Sequence, residues 1–166
     1  MNTLWLRTLA SSVFVLAASA SSLAGQNRPM TFLDVQEIRG GGSWAPSPDQ
    51  AWMLYTITTP DWIEDESQSD IYVVSLADGV SSTRQLTYTS DKNETNPTWA
   101  PDASYFVFSS NRDAVAPKRT NQLYRMRHDG GEARKITDAK DGVSGFSFSP
   151  DGTWLVFRSG ESGREQ

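Results

Sequence analysis

Bulky apolar residues return three times along the chain in one short arrangement, each time soon after a Pro-Asp pair. Trp52-Met53-Leu54-Tyr55 follows Pro48-Asp49, Tyr105-Phe106-Val107-Phe108 follows Pro101-Asp102, and Trp154-Leu155-Val156-Phe157 follows Pro150-Asp151. The match is one of physical type: an aromatic, two bulky apolar residues and a second aromatic. Proline presets φ at the second position of a turn and aspartate suits the position after it, so each unit is predicted to be a tight turn feeding a strand. Four apolar residues without a polar interruption predict a strand covered on both faces.

Each turn is embedded in a longer unit that recurs at about fifty residues. A short strand precedes it, at Trp44 to Ala45, Thr98 to Ala100 and Ser144 to Ser149. A third strand is predicted at Asp70 to Ser75 and again at Asn121 to Met126. Turn signals at Ala77-Asp78-Gly79 and His128-Asp129-Gly130-Gly131 then lead to a fourth, at Arg84 to Thr87 and Arg134 to Thr137. Four strands at this spacing predict an all-β fold, a partial β-propeller. A sandwich would not repeat a four-strand unit at this interval, and β-helix repeats are much shorter. The blades are expected at about 43–90, 95–138 and 143–166, the third holding only its first hairpin. Propellers use about 4 to 8 blades, so the chain reads as a fragment whose last blade bares an apolar face and an unpaired edge.

Ahead of the repeats, Phe32, Val35 and Ile38 recur at a spacing of three and predict a short amphipathic helix within a lead-in segment at 25–42. Residues 1–24 read as a secretory signal peptide: Arg7 is followed by an apolar run of about a dozen residues, and Ser22 and Ala24 occupy the −3 and −1 positions of a cleavage site. The run is too short for a membrane span, which needs about 20 apolar residues. The expected product is an exported, periplasmic or extracellular protein with no membrane attachment after signal cleavage.

Composition narrows the chemistry. The 166 residues carry 15 Lys plus Arg against 20 Asp plus Glu, a net charge of −5, which argues against nucleic acid as a partner. There is no cysteine, which removes disulfides, thiolate metal sites and thiol catalysis. No G-x-S-x-G elbow is present: Gly142-Val143-Ser144-Gly145-Phe146 lacks the last glycine and Gly160-Glu161-Ser162-Gly163-Arg164 has it one place early. The one histidine, His128, falls in a predicted hairpin turn and reads as a solvated turn residue. Asp61, Glu64, Asp65, Glu66 and Asp70 form an acidic interval without a cation, read as a hairpin loop that matches no calcium-binding spacing. From Arg112 to Lys135 seven basic residues, Arg125 and Arg127 among them, meet three acidic ones and read as a solvated rim. Trp52, Tyr105, Phe108, Trp154 and Phe157 are assigned by their register to an inter-blade core. Asn93-Glu94-Thr95 is a glycosylation acceptor only in a eukaryotic secretory pathway. No catalytic, cofactor-binding or metal-binding residue is assigned, and no cofactor is expected.

The Pro-Asp-turn repeats resemble those of secreted prolyl oligopeptidase-family serine peptidases and of the TolB periplasmic protein. The segment Met30 to Arg39 is similar to the brief helix that precedes the first blade in dipeptidyl- and acylaminoacyl-peptidase-like members, whereas TolB-like proteins carry an α/β domain first. The peptidase resemblance implies a C-terminal α/β-hydrolase domain with a Ser-His-Asp site, a peptide substrate, and a propeller that gates access to it. On that reading the fragment alone is inactive. The alternative resemblance implies a protein-binding or scaffold propeller without enzymatic activity.

Overall fold

The structure is a computed structural model that describes residues 28–115 and 119–160. The expected signal peptide lies outside the described residues. Arg28 to Met30 belong to an N-terminal unit apart from the body, which begins at Thr31.

The helix α1 (Phe32–Gln36) forms as the spacing predicts. Thr31 caps it: its hydroxyl accepts the Asp34 amide at 3.4 Å, while Asp34 accepts the Thr31 amide at 2.7 Å. Its apolar side does not pack, since Phe32, Val35 and Ile38 are all exposed.

Among the described residues ten strands come after the helix. The first sheet holds β1 (Gly40–Pro46), β2 (Trp52–Asp61), β3 (Glu66–Ser75) and β4 (Arg84–Gln85) in sequential order. The second holds β5 (Glu94–Trp99), β6 (Phe106–Ser110), β7 (Gln122–Arg127) and β8 (Gly130–Lys135), also in order. A two-stranded sheet of β9 (Val143–Phe148) and β10 (Leu155–Ser159) completes the described body. Every ladder within these sheets is antiparallel. This is the partial propeller the sequence predicts: two four-stranded blades and the first hairpin of a third.

The three Pro-Asp turns are built alike. The amides of Ser47, Ala100 and Ser149 donate to the carbonyls of Trp52, Tyr105 and Trp154 at 2.8, 2.9 and 2.9 Å. The residue after each Pro-Asp pair has positive φ, 58° at Gln50, 58° at Ala103 and 70° at Gly152. Only the third turn places glycine where that conformation costs little. The outer strands repeat a second device. The amides of Ile71 and Leu123 each donate to a threonine hydroxyl, Thr87 and Thr137, at 2.8 Å.

Packing follows strand parity. Leu54, Ile71 and Val73 of the first sheet meet Phe106, Phe108, Tyr124 and Met126 of the second. The opposite face of the second sheet sends Val107 and Leu123 against Val143, with Phe146, Phe148 and Leu155 beside them. All five residues of β6 are therefore buried, as an uninterrupted apolar run requires. Two expectations are corrected here. Trp154 and Phe157, assigned to inter-blade core, are 70% and 43% exposed. No described sheet covers the face of β10 that carries Trp154, while Phe157, on the same face as Leu155, lies on a strand with no described neighbour at its outer edge. The acidic interval is not an open loop either: β2 and β3 stay paired out to Asp61 and Glu66, leaving only a tight four-residue tip.

Candidate functional site

The seam between the first two sheets gathers most of the chemistry-bearing side chains. His128 sits there, half-buried, its ring 5.0 Å from that of Trp52 and 5.4 Å from that of Trp99. Its carbonyl accepts the Arg84 guanidinium at 3.0 Å and its Nδ1 is buried without a partner. The reading of His128 as a solvated turn residue is thus overturned, because the β7–β8 turn leans on the neighbouring sheet. Among the described residues no hydroxyl hydrogen-bonds to the ring, so His128 activates no described nucleophile. The Trp99 indole donates to the Ala45 carbonyl at 2.9 Å and pins the two inner strands together.

Ser144 is exposed on β9, with only a 3.5 Å contact from its hydroxyl to the Arg158 carbonyl, and occupies no strand-to-helix elbow. Ser162 lies outside the described residues. Asn93 does not present a free side chain: its Oδ1 accepts the Ser69 amide at 2.9 Å across the seam.

The acidic residues separate. Asp61 caps the hairpin tip, accepting the amides of Ile63 and Glu64 at 3.0 and 3.2 Å. Glu66 pairs with Arg119, a cation the chain brings from far along the sequence. Asp70 is buried, and desolvation pushes its carboxyl above the usual aspartate range despite hydrogen bonds from Gln68 and Thr87. Among the described residues no group of three or more His, Asp or Glu side chains is placed to hold a metal ion.

The basic stretch separates as well. Lys118 lies outside the described residues. Arg112 is no rim residue: its guanidinium lies over the rings of Phe108 and Tyr124 at 5.2 and 4.9 Å and bonds Oε1 of Glu94 at 3.1 Å. Arg127 pairs with Asp129 at 2.6 Å, and Lys135 with Asp138 at 2.8 Å. Arg125 stands directly opposite Arg134 in the β7–β8 register. Both line a shallow concavity of about 440 Å³ with Tyr105, whose ring centre is 5.9 Å from the Arg125 guanidinium.

Glu94 is the residue that sequence reasoning missed. It is fully buried, its Oε1 accepts the Ser110 hydroxyl at 3.0 Å as well as Arg112, and its Oε2 has no partner of good geometry although the Thr89 hydroxyl acts to lower its pKa. Burial dominates and raises the carboxyl above its ordinary value. Nearby, Tyr124 donates to Asp113 at 2.7 Å, and desolvation followed by that bond raises its phenol well above the ordinary range. The signal was available in the strand pairing: an acid opposite Ser110, with Arg112 two residues on.

These geometries define a class. The described residues form blade-on-blade seams closed by aromatic packing, one buried ion pair and cross-seam hydrogen bonds, with no nucleophile and base brought together. The TolB beta propeller domain model matches residues 34–166, and the chain belongs to that family. It is 31% identical to a dipeptidyl-peptidase 5 of Porphyromonas gingivalis over 162 residues, 95% of this chain and 22% of that protein. It is 36% identical to the uncharacterized peptidase YuxL of Bacillus subtilis over 111 residues, 66% of this chain and 16% of that protein. Among solved structures, a TolB of Agrobacterium tumefaciens superimposes with TM-score 0.55 at 27% identity, covering 74% of this chain and 40% of that one. An acylaminoacyl peptidase of Pyrococcus horikoshii superimposes with TM-score 0.58 at 15% identity, covering 74% and 17%, and shares the fold. The chain spans about a fifth of the two peptidases' length.

Proposed function

We propose that this chain is the propeller portion of an exported serine peptidase, in which stacked blades restrict which peptides reach an α/β-hydrolase domain supplied by another part of the intact protein. The observation that carries this reading is the similarity to dipeptidyl-peptidase 5 along 95% of the chain, lead-in segment included. Two features of the body agree with it. The described residues bring together no Ser-His pair, so peptide-bond hydrolysis falls to residues elsewhere. The seams are closed by large rings and the Trp99 bond to Ala45, which suits a rigid wall that admits narrow peptides and excludes folded proteins.

The test uses the intact gene product. It should react with a fluorophosphonate probe and cleave short peptide p-nitroanilides while sparing folded proteins, and this chain alone should show no turnover above buffer. Exported material should begin at Gly25. A second reading, a protein-binding propeller without hydrolysis, is favoured by the likeness to TolB at 27% identity. An intact product that takes up no probe but retains a protein partner supports that reading and overturns the first.

A further inference from the structure

The first blade carries an arm that the second lacks. Alignment on the Pro-Asp turns sets Ile57 where β6 ends at Ser110, yet β2 and β3 stay paired beyond it, from Thr58 with Ser69 to Asp61 with Glu66. At about 3.3 Å per residue, the hairpin reaches about 13 Å past the end of its counterpart. Its root is braced from the side of the second sheet. The Ser69 amide donates to Asn93 at 2.9 Å, the Asp91 amide donates to Gln68 at 3.3 Å, and Arg119 pairs with Glu66. Its tip is preformed, since Asp61 accepts two amides of the turn. On this rigid arm Trp62 and Ile63 are 57% and 74% exposed, with the exposed carboxylates of Glu64 and Asp65 beside them. Blades stack face to face around an axis, so a further blade would lie beside this sheet, whereas the tip projects past its end.

The same end is where the chain enters each described blade. β1 begins at Gly40, opposite Thr58 at the root of the arm, and Asn93, just ahead of β5, bridges to Ser69 in the same place. Val143, at the start of β9, donates to the Asn121 carbonyl ahead of β7 at 2.8 Å. A domain joined to the propeller is therefore tethered on the arm's side, whatever the number of blades. We propose that the Trp62-Ile63 tip docks the α/β-hydrolase domain of the intact protein, seating in an apolar pocket rimmed by Lys or Arg. This rests on the reading above that such a domain is joined to the propeller. The chemistry of the pocket follows from the tip: two large apolar side chains call for an apolar lining, and Glu64 and Asp65 favour cations around it. A braced tip loses little freedom on binding, which favours a stable contact between the domains.

Site-specific photocrosslinking of the intact gene product tests this. p-Benzoylphenylalanine replaces Trp62 or Ile63 and, as a control, Val80, which is 87% exposed in the connection after β3, at the opposite end of the same blade. A fluorophosphonate probe marks the hydrolase domain. Irradiation should join the tip, but not position 80, to the probe-bearing domain within one copy, and the linked peptides should carry Lys or Arg beside apolar residues. Glu64→Lys with Asp65→Lys, and separately high salt, should cut the yield severalfold. These positions lie on exposed turns, and unchanged circular dichroism verifies that the fold survives. Crosslinks to a second copy or to another blade, a yield no greater than at position 80, or a yield indifferent to charge reversal would each overturn the proposal. An intact product that takes up the probe without a tip crosslink removes this inference alone, whereas one that takes up no probe removes the hydrolase reading with it.

Discussion

Phe108 and Phe157 hold the same place after their Pro-Asp turns, yet one is fully buried and the other 43% exposed. The strands differ as a whole: all of β6 is buried, while β10 has no fully buried residue. Local sequence is nearly constant between them, so the difference comes from neighbours. The second sheet has a packed sheet on each side and β6 a strand on each edge, with Tyr124 beside Phe108, whereas the third hairpin packs on a single side and β10 has no described strand beside Phe157. Strand formation is therefore set by the local pattern and turn, whereas stability in this architecture is set by stacking.

Truncating the two rings should separate the strands most sharply. Phe108→Ala should cost about 3 to 5 kcal/mol, the range for large cavities in a packed core, while Phe157→Ala should cost well under half of that because much of its ring is already in water. Urea unfolding of both variants measures the contrast, and equal losses would remove the distinction between the strands.

A second loss depends on what the second sheet alone contains. Seven residues before the prolines of the three turns stand Gly41, Glu94 and Val143, so the buried carboxylate is peculiar to the middle repeat. Arg112→Met should cost about 3 kcal/mol, because it strands a buried charge. The double variant Glu94→Val with Arg112→Met should recover most of that, valine being what the third repeat uses there. Denaturant unfolding of the single and double variants reads this, and a double variant no better than the single would show that the pair itself is needed.

A smaller change comes from the protonation of Glu94. Its folded pKa lies above the ordinary value of 4.5, so the folded state holds its proton more tightly than the unfolded one. The stability from this group is present below the unfolded value and is lost as pH rises through the raised folded value. Thermal unfolding from acid to neutral pH should show wild type losing ground to Glu94→Gln as pH rises. Parallel curves for the two would contradict the assignment. Exposed Asp49 and Asp151 work in the opposite sense: hydrogen bonds from Ser47 and Ser149 lower them, so their contribution is lost as pH falls.

The turns should respond least. Ala103 has φ of 58° where the third repeat places Gly152. Ala103→Gly should gain about 0.5 kcal/mol, the left-handed strain relieved being partly offset by backbone entropy. Gly152→Ala should lose a similar amount, and calorimetry on the pair checks the sign.

The strands were legible from the sequence because turn chemistry and apolar runs are local. Pro48, Pro101 and Pro150 mark each hairpin, and residues within a few places of them decide it. Three things were not legible, each for a physical reason. The acidic interval from Asp61 to Asp70 reads as a hairpin loop, yet the pairing of Asp61 with Glu66 and of Pro60 with Ser67 carries the β2–β3 ladder into it. His128 reads as a turn residue because the rings that enclose it come from Trp52 and Trp99, distant in sequence. Glu94 was not singled out because what buries it is a sheet and an arginine brought in by folding. The exposure of Trp154 belongs with these, since a repeat register states which face a residue points from but not whether another sheet lies there.

Native-state hydrogen exchange compares the two strands most directly. The amides of Phe106 to Ser110 should exchange only through global unfolding, while those of Leu155 to Ser159 should exchange earlier through local opening of the β9–β10 hairpin. Equal protection in the two strands would contradict the claim that stacking on both faces, not the local repeat, holds this fold together.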